Sequence, residues 1–290
     1  MSAYDLIAEP LGYQFMRHAL LAAALVGATC GLLGFYVVAR RMAFIGDAMA
    51  HTLLPGLVTA YLLGVPLIAG ALAAGLAMAF GVGRLAGRGR LHEDSAIGVL
   101  FTAMFAAGIA LMQRQKTYRD LSAMLFGNLL GVTGADLLAL AAVAAVVGGC
   151  LLLFHKELVL TSYDPGYAEG IGLRASGPRQ LLLILLALAV VSAIQAVGVV
   201  LTSALLVTPA AAAGLLVRRT GAVMAVSVAI AVGSGTAGLY ASYHLGLAAG
   251  ASVVLAATAV FGLAWAWDAL RSRRGAGPAP TPDGREPDGA

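Results

Sequence analysis

Charge is scarce in this sequence. Only 11% of its 290 residues are Asp, Glu, Lys or Arg, against about a quarter in an ordinary soluble domain. Hydrophobic residues reach 60%. That balance excludes the soluble globular class and leaves a polytopic membrane protein. Cysteine is scarce too: Cys30 and Cys150 both sit inside apolar runs, as small packing residues without a disulfide or redox role. Lysine is nearly absent. Neither Lys116 nor Lys156 follows a GxxxxG run, so a Walker-type ATP site is excluded. Residues 1–15 carry Asp5, Glu9 and Pro10 and no basic start, so no cleavable leader is expected. The formal charge of +4 comes from short basic clusters between apolar runs. Such clusters are a topology signal rather than a nucleic-acid footprint.

What is abundant is apolar sequence and glycine, 37 residues of it, as suits helix backbones that approach closely in a membrane. The pattern predicts an all-α fold of about nine transmembrane helices. Three parts are expected: an amphipathic lead-in over 1–15, a transmembrane domain over 16–268, and a disordered tail over 269–290. The spans fall at 16–38, 45–63, 67–83, 95–112, 136–154, 181–201, 203–217, 221–243 and 248–268, with a re-entrant or surface segment over 121–131. Glu93, Asp94 and Ser95 read as the capping start of the fourth span. The spacing Gly27…Gly31 matches GxxxG, a weak signal in so glycine-rich a chain. With the C-terminus inside, inner loops hold thirteen basic residues and outer segments four, leaving Arg285 aside. The positive-inside rule therefore places the N-terminus outside and the C-terminus in the cytoplasm.

All but one of the 14 carboxylates lie in loops, at segment ends or in tails; Asp47 lies inside a span. A carboxylate there costs about 2.5–3.5 kcal/mol on insertion scales and is a functional candidate by default. His51 follows four residues later, on the same face of a helix. Counted from Arg41, Asp47 is about 9 Å and His51 about 15 Å along a helix. In a core about 30 Å thick, His51 then falls near the midplane. Pro55 and Gly56 should break the helix there, leaving the His51 carbonyl without its usual amide. Carboxylate plus imidazole suits Zn²⁺, Mn²⁺ or Fe²⁺. Two ligands are too few for tight binding, so a second copy on a two-fold axis, or other residues of the same chain, must complete the site. The competing reading is a hydrogen-bonded Asp–His pair that only packs helices. Gln195 and Thr208 are candidate path-lining groups, equally explained as contacts between helices.

Between the fifth and sixth spans lies the longest polar segment, His155 to Gln180. Within it, Asp164-Pro165 reads as an N-cap followed by proline at the first helical position, and Gly170 or Gly172 as the stop. A solvated loop is the plain reading. The sharper one is a cytoplasmic coupling helix carrying Tyr163, Asp164, Pro165, Tyr167, Glu169 and Gly170.

Several segments, in order, resemble the permease subunits of bacterial ABC importers for zinc, manganese and iron. They are Arg40-Arg41-Met42 through Gly46-Asp47-Ala48…His51…Leu54-Pro55-Gly56, Glu93-Asp94-Ser95-Ala96-Ile97-Gly98, and Leu125-Phe126-Gly127-Asn128-Leu129-Leu130-Gly131. Ser162-Tyr163-Asp164-Pro165…Gly172-Leu173, Gln195-Ala196-Val197-Gly198 and Leu205-Leu206-Val207-Thr208-Pro209-Ala210 complete the set. The resemblance covers about residues 10–268. It implies a homodimer in the bacterial cytoplasmic membrane, a cytosolic ABC ATPase dimer, and an extracytoplasmic metal-binding protein. It implies that Asp47 and His51 contact a transported Zn²⁺ or Mn²⁺, with no permanently bound cofactor and no catalysis on this chain. Two rivals keep the membrane fold: a proton-coupled secondary transporter using the pair as a relay, and an ABC permease for a metal chelate.

Overall fold

The structure, a computed structural model, describes residues 8–87, 91–113 and 129–275. Among the described residues there are twelve helices of at least six residues and no strand. Numbered in chain order they are α1 (Gln14–Ala39), α2 (Ile45–Thr52), α3 (Leu54–Leu63), α4 (Leu67–Ala86), α5 (Glu93–Met112) and α6 (Gly134–Leu153). Then come α7 (His155–Tyr163), α8 (Pro165–Gly170), α9 (Ser176–Val197), α10 (Val199–Leu216), α11 (Thr220–Leu245) and α12 (Ala249–Gly275). Eight of these are long and apolar enough to cross a membrane. The all-α polytopic fold expected from composition is therefore what forms.

The second expected span, 45–63, is the pair α2–α3, whose halves of 8 and 10 residues are each too short to cross. The break falls at Leu53, ahead of Pro55 rather than at Pro55-Gly56. Proline cannot donate to the preceding turn but is well placed at a helix start, and Pro55 sits in the first turn of α3. Gly56 does not break the chain. A Cβ there would collide with the Gly70 carbonyl, so Gly56 lets α3 and α4 touch.

Other boundaries also move. The sixth span begins at Ser176 and ends at Val197, because Gly198 (φ 87°) turns the chain before α10. Only glycine takes that backbone without a Cβ penalty. Residues 155–163 are helical, not loop, and continue from α6 after a kink at Phe154. The last helix runs to Gly275, past the expected end at 268. The re-entrant segment expected over 121–131 lies mostly outside the described residues, as do residues 1–7 of the lead-in and 276–290 of the tail; a short 3-10 turn at Leu129–Gly131 is its described part.

Helix α1 is the centre of the bundle. It is buried along most of its length, packing chiefly on α10 and α11 and also on α6 and α9. Small residues make this possible. At Gly31 the α11 backbone at Val228 approaches so closely that a Cβ would lie 2.9 Å from it, and the Ser227 hydroxyl donates to the Gly31 carbonyl at 2.8 Å. The Gly27…Gly31 spacing is thus ordinary helix packing. On another face, a Cβ at Gly34 would collide with the Leu206 carbonyl of α10. By contrast α5, α6 and α12 are mostly exposed in the single chain.

Gly34→Ala forces α1 and α10 apart. A loss of about 1–3 kcal/mol is expected from such overpacking, read as a lower melting temperature in detergent. Gly262→Ala, where no atom lies within 4 Å of the new methyl, should leave it unchanged.

Candidate functional site

The chain enters α2 through a tight turn. Arg40 caps α1 and Arg41 takes the left-handed conformation (φ 59°). The Arg41 amide bonds the Val38 carbonyl at 3.1 Å, and the Met42 amide reaches back to Val37 at 2.9 Å. This is a Schellman motif, whose left-handed position is usually glycine; an arginine there costs about 1–2 kcal/mol. Met42, fully buried, anchors the far side. The turn delays the start of α2 until Ile45. His51 is then about 9 Å along the α2 axis from the helix start.

Asp47 lies in the first turn of α2 and His51 in the last. Their side chains meet as the i,i+4 spacing requires, with His51 Nε2 3.8 Å from Asp47 Oδ1. Both are open, at 36% and 44% exposure for His51 and Asp47 respectively. The His51 carbonyl, deprived of an amide by Pro55, receives the Leu53 N–H instead of standing free. On the opposite face Gly46 packs on α10, where a Cβ would lie 3.1 Å from the Leu206 side chain. Ser203 of α10 stands beside it, its buried hydroxyl without a hydrogen-bond partner among the described residues.

An aromatic wall on α5 holds the imidazole, and sequence reasoning missed it. The His51 ring sits 5.4 Å from Phe105, edge to face, and 5.9 Å from Phe101; the two phenyl rings stack at 5.9 Å, and Phe44 closes the group edge-on against Phe101. The available signal was the i,i+4 spacing of Phe101 and Phe105, which matches that of Asp47 and His51. The polar and ring contacts of the pair are with each other and this wall. Gln195 is exposed in the last turn of α9, and Thr208 is half-buried in α10 just before Pro209; neither is among those contacts. No group of three or more His, Cys, Asp or Glu side chains that could hold a metal occurs among the described residues. One chain thus offers an open pair with free coordination positions.

The expected coupling segment forms as a capped helix. The Asp164 carboxylate accepts the Tyr167 N–H at 2.8 Å, Pro165 opens α8, and Gly170 ends it. Gly172 (φ 86°) reverses the chain. Ala168 is buried, while Tyr163, Tyr167, Glu169 and Ile171 are exposed. Beside α8 a cavity of about 390 Å³ opens between Glu169, Leu173 and Arg174 on one side and Ala86 and Arg179 on the other. An exposed aromatic–apolar patch next to such a recess is a surface suited to a protein partner.

Beneath α8 lies the second feature that sequence reasoning missed. Glu93 lies in the first turn of α5, whose N-cap is His92 with no side-chain cap hydrogen bond, so it serves as an ion-pair partner rather than the expected cap. Its Oε1 takes Arg40 Nη1 at 3.1 Å and lies 2.8 Å from Arg179 Nε. Arg40 also donates to Ser162 Oγ at 2.9 Å and Thr161 Oγ1 at 3.2 Å. The Arg40 and Glu93 side chains are 6% and 14% exposed. Burial lowers the pKa of Arg40, Glu93 opposes that shift, and Arg179 adds to it. The charge pattern of the sequence shows these residues as separate loop charges, so only the fold brings them together.

The likeness to known proteins extends over nearly the whole chain. Residues 12–267 match the ABC 3 transport family. The chain is 38% identical over 271 residues to a probable iron transport system membrane protein of Haemophilus influenzae, covering 93% of this chain and 100% of that one. It is 41% identical over 256 residues to the manganese transport system membrane protein MntC of Halalkalibacterium halodurans, covering 88% of each. Among solved structures, PsaBC from Streptococcus pneumoniae in complex with Fab aligns with a TM-score of 0.78 at 32% identity, covering 91% of this chain and 95% of that one. An inward-facing metal-chelate type ABC transporter aligns at 0.72 and 16% identity, covering 92% and 91%, a likeness of fold alone.

Two local variants test the geometry. Phe105→Ala removes an edge-to-face contact worth about 0.5–1.5 kcal/mol, so binding of a divalent ion at the pair should weaken two- to tenfold in a titration. Asp164→Ala removes the α8 cap, worth about 1 kcal/mol. Hydrogen exchange of the α8 amides should then rise about fivefold, with α1 unaffected.

Proposed function

The chain belongs to the ABC 3 transport family, and from that premise we propose that it imports a divalent transition metal ion, held in passing by Asp47 and His51, as the membrane permease of an ATP-driven system. A multi-pass place in the bacterial inner membrane and a permease role go with the family. The observation that carries the site assignment is the open Asp47–His51 pair on the broken helix α2–α3, backed by Phe101 and Phe105. Broken helices are where transporters expose polar groups to cargo.

Each chain supplies two donors. A second copy related by a two-fold axis through this face brings two more, enough for a four-coordinate ion. The partial exposure of Asp47 and His51 on the otherwise buried α2, beside the many exposed residues of α5, supports that arrangement. Carboxylate and imidazole together accept Mn²⁺, Fe²⁺ and Zn²⁺; the relatives are named for manganese and iron. A weak site suits transport, since the ion must also leave. The exposed face of α8 is the docking surface for the separate ATPase that the lack of a Walker motif requires, and an extracytoplasmic metal-binding protein delivers the ion. The basic-residue bias supports an outside N-terminus and a cytoplasmic C-terminus, with α8 on the inner side. A second reading, import of a chelate, is favoured by a relative at 36% identity named as a chelated iron transport system membrane protein of Yersinia pestis.

The test is uptake by the importer reconstituted with its ATPase and binding protein, with Mn²⁺, Fe²⁺ and Zn²⁺ in competition. Asp47→Ala and His51→Ala should each cut uptake of the free ion at least tenfold while assembly persists, and the competition names the metal. Normal uptake by both variants overturns the site. Uptake only of a chelate, unaffected by the variants, favours the second reading.

A further inference from the structure

We propose that Glu93 is a positioning residue through which movement of the α7–α8 segment reaches the metal site. The inference rests on the permease reading.

The buried ion trio lies where four parts of the chain converge. Arg40 ends α1 and leads through the strained Arg41 turn into α2, which carries Asp47 and His51. Glu93 begins α5, which carries Phe101 and Phe105 against His51. Arg179 is in the first turn of α9. Thr161 and Ser162, at the end of α7, hold the Arg40 guanidinium and are followed directly by the Asp164 cap of α8. So the residues that touch Arg40 and Glu93 stand one helix from the docking surface on one side. On the other side they stand at the roots of both helices that build the site.

The network is also only partly satisfied. Arg40 and Arg179 both crowd Glu93 Oε1, while the buried Glu93 Oε2 has no hydrogen-bond partner among the described residues. Arg179 Nε lies close in charge but is not aligned to donate a hydrogen bond. A carboxylate has room for two guanidiniums, one on each oxygen. An unfilled buried acceptor is costly, and a small turn of Glu93 or shift of α9 would fill it. The trio therefore has a second, better-bonded arrangement within reach, as a two-state coupling element requires. When the ATPase draws α8 and α7, Ser162 and Thr161 carry Arg40 with them. The exchange of guanidiniums on Glu93 then turns α2 and α5 relative to each other at the ion.

The complete importer, reconstituted with its ATPase and binding protein, tests this through metal moved per ATP hydrolysed. Glu93→Gln keeps the shape but removes the charge that both guanidiniums share, and the ratio should fall at least tenfold. Glu93→Asp, which keeps the charge, should recover part of it. The pair Thr161→Val with Ser162→Ala leaves the ion trio intact and severs only its link to α7; here the ratio should fall at least threefold. If this hydroxyl variant melts at a lower temperature but moves as much metal per ATP as wild type, the trio is a structural lock and the proposal is overturned. That variant decides the matter even if Glu93→Gln does not assemble. A wild type without ATP-dependent metal uptake overturns the permease reading and this inference with it, whereas an active wild type with unchanged variants overturns this inference alone.

Discussion

Arg40 is the charge that the rest of the structure accommodates. It stands at the end of the most central helix, almost out of water, and a guanidinium cannot shed its charge there. It needs acceptors, and the fold brings them from α5 and α7: the Glu93 carboxylate and the hydroxyls of Thr161 and Ser162. Leaving a buried charge of this kind without its partner is strongly destabilising, about 3–5 kcal/mol. The ends of α1, α5, α7 and α9 are consequently tied together through this charge, and α2 begins beside them.

From that point outward the architecture follows from backbone approach. Glycines at 31 and 34 let α11 and α10 pack directly on α1, and Gly56 with Gly70 does the same for α3 and α4. In a membrane there is little hydrophobic gain from helix association, so close contact and internal hydrogen bonds must supply it. Helix α12 is seamed to α11 at Gly238, where a Cβ would collide with the Val253 backbone, whereas α5 and α6 are the least buried spans. One of them, α5, nevertheless shapes the functional face through Phe101 and Phe105.

The functional face is incomplete in one chain because of its residue types. An acid and an imidazole on a short helix present two donors, and no third His, Cys, Asp or Glu joins them among the described residues. A short helix with a break at Leu53 can tilt more readily than a long one, since fewer backbone bonds hold it to α3. Two donors on a short helix hold an ion weakly, as the proposed transport site requires.

The sequence by itself determined the class. Sixty percent apolar residues and the spacing of the basic clusters admit only a polytopic helical membrane protein. It also singled out Asp47 and His51, because a charge inside an apolar run is costly wherever the chain folds, and it located the Asp164 cap, because capping is local. It missed what depends on distant partners. The helix break moved from Pro55 to Leu53 because proline suits the first turn of the next helix. Helix α2 starts at Ile45 rather than running on from Arg41 because Arg41 bends the chain. The aromatic wall and the Arg40–Glu93–Arg179 trio join residues separated by as many as 139 positions, from Arg40 to Arg179. No local pattern encodes such a meeting, since it arises only when packed helices bring their ends together.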